Sequence, residues 1–193
     1  MLCFGATAFA DDNVAAQLDH VVVTATRTAQ SQDQTLAAVT VITRADIERL
    51  QPNTLADVLR GTPGMSLANN GGPGEATSIF LRGTESDHVL VLVDGVKIGA
   101  ATSGTAAIQD IPVEQIERIE IVRGPFSSLY GSEAIGGVIQ IFTRHPEGSF
   151  TPSLSLGVGS YGHWREALGL SGRSGDAWYS LEATHDQTDG INS

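Results

Sequence analysis

Few residues of this chain are placed to do covalent chemistry. Gly157-Val158-Gly159-Ser160-Tyr161-Gly162 has the GxGxxG spacing that lets backbone approach a dinucleotide pyrophosphate at the start of a helix. The stretch that follows carries glycines and an apolar–polar alternation of period two, so the hexad is a turn between strands. No GxSxG, HExxH or paired CxxC occurs, and His20, His88, His145, His163 and His185 lack metal-ligand spacing. With no nucleophile–base pair, no metal site and no cofactor motif, the chain is not expected to be an enzyme.

The remaining chemistry is that of recognition. Asp19-His20-Val21-Val22-Val23-Thr24-Ala25 is a β-prone segment between polar flanks, suited to adding a strand to a partner's sheet edge or to opening the next domain. Residues 70–77 and 99–104 are loops of glycine and small residues, where a bulky ligand could meet bare backbone. Arg123 starts a turn framed by glycines, Gly124 and Gly131, that delivers the chain into a last buried strand. The net charge is −11, with the 11 basic residues scattered, so no basic stripe exists for nucleic acid.

Other features concern export. Residues 1–10 are apolar and small, end in Ala8-Phe9-Ala10 before Asp11-Asp12, and contain Cys3, the only cysteine. They read as the end of an export signal. No run approaches the ~20 apolar residues of a membrane helix, so any membrane role must come from β-structure or a partner.

The elements that must position these residues can be placed in order. Residues 39–42 form a strand. Thr43 caps a short helix, with Asp46 completing a capping box and Ile47 and Leu50 on its buried face. Asn53 caps a second helix carrying Leu55, Val58 and Leu59, stopped by Gly61. Residues 65–67, 78–82 and 88–93 are strands, the last turning at Asp94-Gly95 into a hairpin with Val96–Ile98. Pro112 opens a short turn, residues 116–122 form a half-buried strand with one slip of period, 126–130 a helical turn, and 136–143 a buried strand. This is an α+β domain with a mixed sheet and short helices. After residue 146 the texture changes to three alternating segments, with Leu154, Leu156, Val158, Trp164, Leu168, Leu170, Tyr179 and Leu181 against serine, glycine and threonine. Glu166 is the one misfit. Such segments are the first strands of a transmembrane β-barrel or of a soluble meander.

Several motifs, in order, resemble the plug of TonB-dependent outer-membrane receptors: Leu55-Ala56-Asp57-Val58-Leu59-Arg60 with Pro63-Gly64, Ile79-Phe80-Leu81-Arg82-Gly83, Val91-Leu92-Val93-Asp94-Gly95-Val96, and residues 121–141 around Arg123-Gly124-Pro125. Within that family, residues 70–80 and 88–93 look most like the cobalamin receptors. The resemblance implies a signal remnant at 1–10, a flexible segment at 11–34, a plug at 35–145 and about three barrel strands at 146–193 of a barrel of about 22 strands with an occupied lumen.

It also implies roles. Asp19, His20, Val21, Val22, Val23, Thr24 and Ala25 become the TonB box, pairing with a TonB-like energy-coupling protein. Asn70, Gly71, Gly72, Gly74, Glu75, Ala76 and Thr77, with Ala101, Thr102 and Ser103, become contacts for a corrinoid or metal-chelate ligand. Arg82 and Arg123 become the arginines that tie plug to barrel wall. Asp186 and Asp189 lie where cobalamin receptors begin a calcium loop, but two aspartates are not a site. The implied activity is TonB-dependent transport of a bulky nutrient, cobalamin, with a siderophore or haem receptor as the alternative within the family and the plug on the periplasmic side of a Gram-negative outer membrane. A stand-alone periplasmic plug-like module is the alternative of a different class.

Overall fold

The computed structural model describes residues 22–23, 30–31, 38–71, 74–99, 105–146 and 148–190, the first two pairs as backbone only. Val22–Val23 (β1) pairs antiparallel with Gln30–Ser31 (β2) in a ladder of its own.

A five-stranded mixed sheet follows. Its strands are Ala38–Thr43 (β3), Val89–Val93 (β6), Val96–Ile98 (β7), Ile116–Arg123 (β8) and Gly137–Thr143 (β9), in the order β3-β8-β9-β6-β7. Only β6 and β9 pair in parallel. Met65–Asn69 (β4) and Thr77–Leu81 (β5) form a separate hairpin against the sheet. The main core joins Leu55, Val58 and Leu59 to Ile79, Leu81, Val91, Ile119, Ile121, Ile139 and Ile141.

The slip of period in β8 is a β-bulge. Ile116 pairs with Thr143 and Arg118 with Phe142, leaving Glu117 as the extra residue. That insertion returns Ile116, Ile119 and Ile121 to one face, all in the main core. The strand is not half-buried as expected, because its second face is covered as well. Phe126, Val39 and Val41 pack there on Val122, and Phe126 with Tyr130 packs on Leu90, Leu92 and Val138. The buried Glu120 on that face meets Arg118 Nε at 3.0 Å, and the Arg118 guanidinium lies 3.8 Å from the Phe142 ring centroid.

Two helix details differ from expectation. Arg44–Leu50 (α1) has the expected cap, with Asp46 N–H donating to Thr43 Oγ1 at 3.3 Å and Thr43 N–H donating to Asp46 Oδ2 at 3.0 Å. Ile47 is buried, but Leu50 is 56% exposed. Three residues advance a helix by about 300°, so Leu50 sits about 60° off the line of Ile47, and a helix touching the core through one residue leaves it outside. Leu55–Leu59 (α2) is capped by Thr54, not Asn53. The reason is Asp57, three residues on, which closes a capping box with Thr54. Gly61 takes its left-handed conformation at φ +91, although the cap residue Arg60 is extended.

The Thr43 hydroxyl and amide, and then Arg49, hold the Asp46 carboxyl below the usual carboxylate range. A depressed folded-state pKa adds stability above the unfolded value, and that stability is lost as pH falls through the folded value. The stability gap between the complete protein and its Asp46→Asn variant should therefore be constant near neutrality and close below about pH 3.9. Urea unfolding at a series of pH values measures it, and a gap that persists in acid would exclude the linkage.

The β6–β7 turn is of the type I′ kind, with Asp94 and Gly95 at φ +47 and +81. Asp94 also accepts from Thr143 N at 2.9 Å and Thr143 Oγ1 at 2.6 Å, clipping the hairpin to the end of β9.

Thr151–Val158 (β10), Trp164–Ser174 (β11) and Ala177–Gln187 (β12) form an antiparallel meander. β11 and β12 join through Gly175-Asp176, and β10 and β11 through residues 159–163.

Candidate functional site

The residue 70–77 loop closes the β4–β5 hairpin. Asn70 N donates to Ala76 O at 3.3 Å, and the Thr77 hydroxyl donates to Glu75 O at 3.3 Å. Asn69 shapes the turn: its Oδ1 accepts from Gly71 N at 2.8 Å, and its Nδ2 donates to Thr77 Oγ1 at 2.9 Å. Asn69 is outside the sequence-derived set, and an asparagine two residues before a glycine was the signal for it. Thr77 is buried, whereas Asn70, Gly71, Gly74, Glu75 and Ala76 are exposed. Gly74 has φ +85, and a Cβ there would meet nothing within 4 Å, so the loop has open space above its backbone. Gly72, Ala101, Thr102 and Ser103 lie outside the described residues, as do Asp19, His20, Val21, Thr24 and Ala25.

Arg82 and Arg123 are neighbours although they are distant in sequence. A Cβ on Gly64 would lie 3.7 Å from Arg82 Cγ and 3.9 Å from Arg123 Cδ, so both stems pass this glycine. Arg82 follows β5 at φ +53, its N–H donating to Gly64 O at 2.7 Å. Arg123 ends β8, where Nη2 donates to Thr40 Oγ1 and Nη1 to Ala38 O at 3.5 Å, while the buried Nε has no partner among the described residues. Burial, and then the Arg82 charge, pull Arg123 below the usual guanidinium range. Among the described residues no carboxylate pairs with either. Two adjacent guanidiniums, one with an unpartnered buried N–H, are an electrostatic request for an anion.

The meander has two unlike faces. Register places Leu154, Leu168 and Ala183 side by side on one face, with Leu156, Val158, Trp164, Leu170 and Leu181. Leu154, Leu156, Val158, Leu168 and Leu181 are each at least 60% exposed. Glu166 shares this face between Leu156 and His185, one row inside Val158 and Trp164, and is a charged interruption of the apolar band. The opposite face carries Ser153, Ser155, Arg165, Ala167, Gly169, Ser171, Ser180 and Glu182. It turns toward the five-stranded sheet across a cleft of about 1080 Å³, whose far side includes Arg44, Glu48, Glu114, Gln115, Glu117 and Arg144. His145 packs edge-on against Trp178 at 4.8 Å between ring centroids. Among the described residues no helix is long and apolar enough to cross a membrane, which leaves strands untouched as a means of crossing. Among the described residues no group of three or more His, Cys, Asp or Glu could hold a metal ion.

The TonB-dependent Receptor Plug Domain family matches residues 31–138. The Vitamin B12 transporter BtuB of Vibrio vulnificus is 47% identical over 159 residues, covering 82% of this chain and 26% of that protein. The protein of the same name from Photobacterium profundum is 38% identical over 192 residues, covering 99% of this chain and 31% of its own length. This chain thus spans under a third of the relatives it matches. The ferric enterobactin receptor PfeA of Pseudomonas aeruginosa is similar in structure, with TM-score 0.65 and 28% identity over 87% of this chain and 26% of that one. On the profile match, the mixed sheet and the strands that follow it, the chain belongs to the TonB-dependent receptor plug domain family.

Proposed function

We propose that the chain forms the N-terminal part of a TonB-dependent outer-membrane transporter whose substrate is cobalamin or a related corrinoid. In this reading residues 35–145 are the plug, β10–β12 open the barrel wall, and residues 19–25 recruit a TonB-like protein on the periplasmic side. The observation that carries it is the two-faced meander, apolar outward and polar toward the plug, as a barrel strand between lipid and an occupied lumen must be. A stand-alone periplasmic module would leave the leucines of the outer face in water. Arg82 and Arg123 would then face acidic groups of the remaining wall, which would answer their unpaired charge.

The corrinoid assignment is supported by relatives named as vitamin B12 transporters. A ferric chelate is the second reading, favoured by the likeness to a ferric enterobactin receptor. Titrating the complete receptor with cyanocobalamin and with a panel of ferric siderophores and haem separates them. Saturable binding of cyanocobalamin alone is expected, and binding of a chelate alone would reverse the assignment.

The loop makes a prediction of its own. Gly74→Trp, and likewise Gly72→Trp, should weaken cobalamin binding by at least about tenfold, equal to about 1.4 kcal/mol. The added ring occupies the space that a ligand on bare backbone would use. Left-handed strain at Gly74 costs about 1–2 kcal/mol, too little to change receptor level or heat-modifiability. Unchanged affinity in both variants would return residues 70–77 to ordinary surface.

A further inference from the structure

Arg165 joins the meander to the first domain at a place remote in sequence from the loop and from the paired arginines. It stands near the start of β11 on the inner face, between Gly157 of β10 and Asp186 of β12. Its Nη2 meets Glu114 Oε1 at 2.6 Å, and its Nη1 donates to the Asn53 carbonyl at 2.6 Å. The Arg165 and Glu114 side chains are only 15% and 27% exposed.

Both receiving groups are held rigidly. Glu114 is the middle residue of a 3-10 turn, Val113–Gln115, whose Val113 is buried in the core and whose entry is fixed by Pro112. Asn53 directly precedes the Thr54–Asp57 capping box. One guanidinium therefore grips two fixed points of the plug from a wall strand.

The grip is also incomplete. Glu114 Oε2 and Arg165 Nε are both buried without a partner among the described residues. A fork-on-fork arrangement would have used more of these atoms, whereas here one oxygen and one Nη carry the ion pair. Closed, the contact leaves two polar atoms desolvated, and opening it returns both to water. That offsets part of what breaking a shielded ion pair costs. The contact thus combines a shielded ion pair with two polar atoms that opening would return to water.

We propose that Arg165, Glu114 and the Asn53 carbonyl form a releasable latch between wall and plug that opens in each transport cycle. The proposal rests on the transporter reading above. Its test uses the complete receptor in whole cells, carrying Glu114→Cys and Arg165→Cys and no other reactive thiol. A short reducible bis-methanethiosulfonate should bridge the two cysteines. Bridged receptor should keep substrate binding, lose energised uptake and regain it on reduction. In a second arm, Glu114→Cys alone should react faster with a charged thiol reagent during energised uptake than in de-energised cells. Failure to bridge, full uptake by bridged receptor, or labelling indifferent to uptake would each overturn the latch. No energised uptake by the unmodified receptor would instead sink the transporter reading, and bridging yield would then decide whether the contact exists.

Discussion

Val22→Pro and Val23→Pro should each abolish energised uptake by the complete receptor while leaving substrate binding to de-energised cells intact. Strand addition to a partner uses main-chain donors and acceptors, so side chains matter little and backbone matters absolutely. Proline removes one donor and fixes φ near −65°, which no ladder interior tolerates. Val22→Ala, which keeps the backbone, should be mild. In the structure Val22 and Val23 pair with Ser31 and Gln30, and not with any strand of the five-stranded sheet. The proline should therefore leave the ladders of the five-stranded sheet unbroken. Paired assays of bound and accumulated radiolabelled substrate decide the matter. Loss of binding and uptake together would make this segment a structural strand and remove the coupling role proposed for it.

Gly137→Val should prevent the receptor from reaching the outer membrane in native form. This residue opens β9 at φ +154, opposite Arg123 and beside Val89. A Cβ there would fall 2.4 Å from the Val122 carbonyl oxygen and 2.5 Å from Leu81 Cδ2. The first of these is sheet backbone and cannot turn aside. Overpacking of this kind costs about 1–3 kcal/mol, with left-handed backbone strain of about 1–2 kcal/mol in addition. Valine's second branch raises the sum toward the ~5–15 kcal/mol that is a domain's whole stability. Gly61→Ala is the control, because at φ +91 its Cβ would meet nothing within 4 Å and only the backbone term remains. Protease-resistant receptor in outer membranes, compared across the two variants, measures the difference. Equal yields would mean that the β8–β9 junction can yield.

Local rules read much of this fold from sequence because the forces involved are local. Asp94-Gly95 announced its turn through two residues that tolerate positive φ. The misplaced isoleucine spacing in residues 116–121 was the bulge itself, since one inserted residue must shift a period of two. The cap of α2 was missed by one position because Asn53 and Thr54 are both good caps, and only Asp57 decides between them. Leu50 failed for the opposite reason, since periodicity gives a face but not how far the neighbouring sheet extends. What sequence could not offer was pairing at long range. Arg82 beside Arg123, and Arg165 on Glu114, depend on how three separate sheets are stacked. Nor does a charged residue inside a strand announce burial: Glu120 reads as a solvent position until the residues after β8 fold back over that face.

The place of β3 in its sheet has a mechanical meaning. It is the edge strand nearest the chain's beginning, and six register pairs, from Ala38–Arg123 to Thr43–Arg118, hold it to β8. Tension arriving along the preceding chain is felt at Ala38 before it is felt anywhere else in the sheet. Drawn sideways, the ladder parts one pair at a time at low force; drawn along the strand, all six pairs resist together. The β8–β9 and β9–β6 ladders are separate from the β3–β8 ladder, so parting of β3 at its seam breaks none of their pairs. Behind that seam the four remaining strands hold their register, and the strand that peels away takes with it the Thr40 hydroxyl and Ala38 carbonyl that anchor Arg123. Force on the tail would thus be converted into freedom for one arginine while the core stays whole.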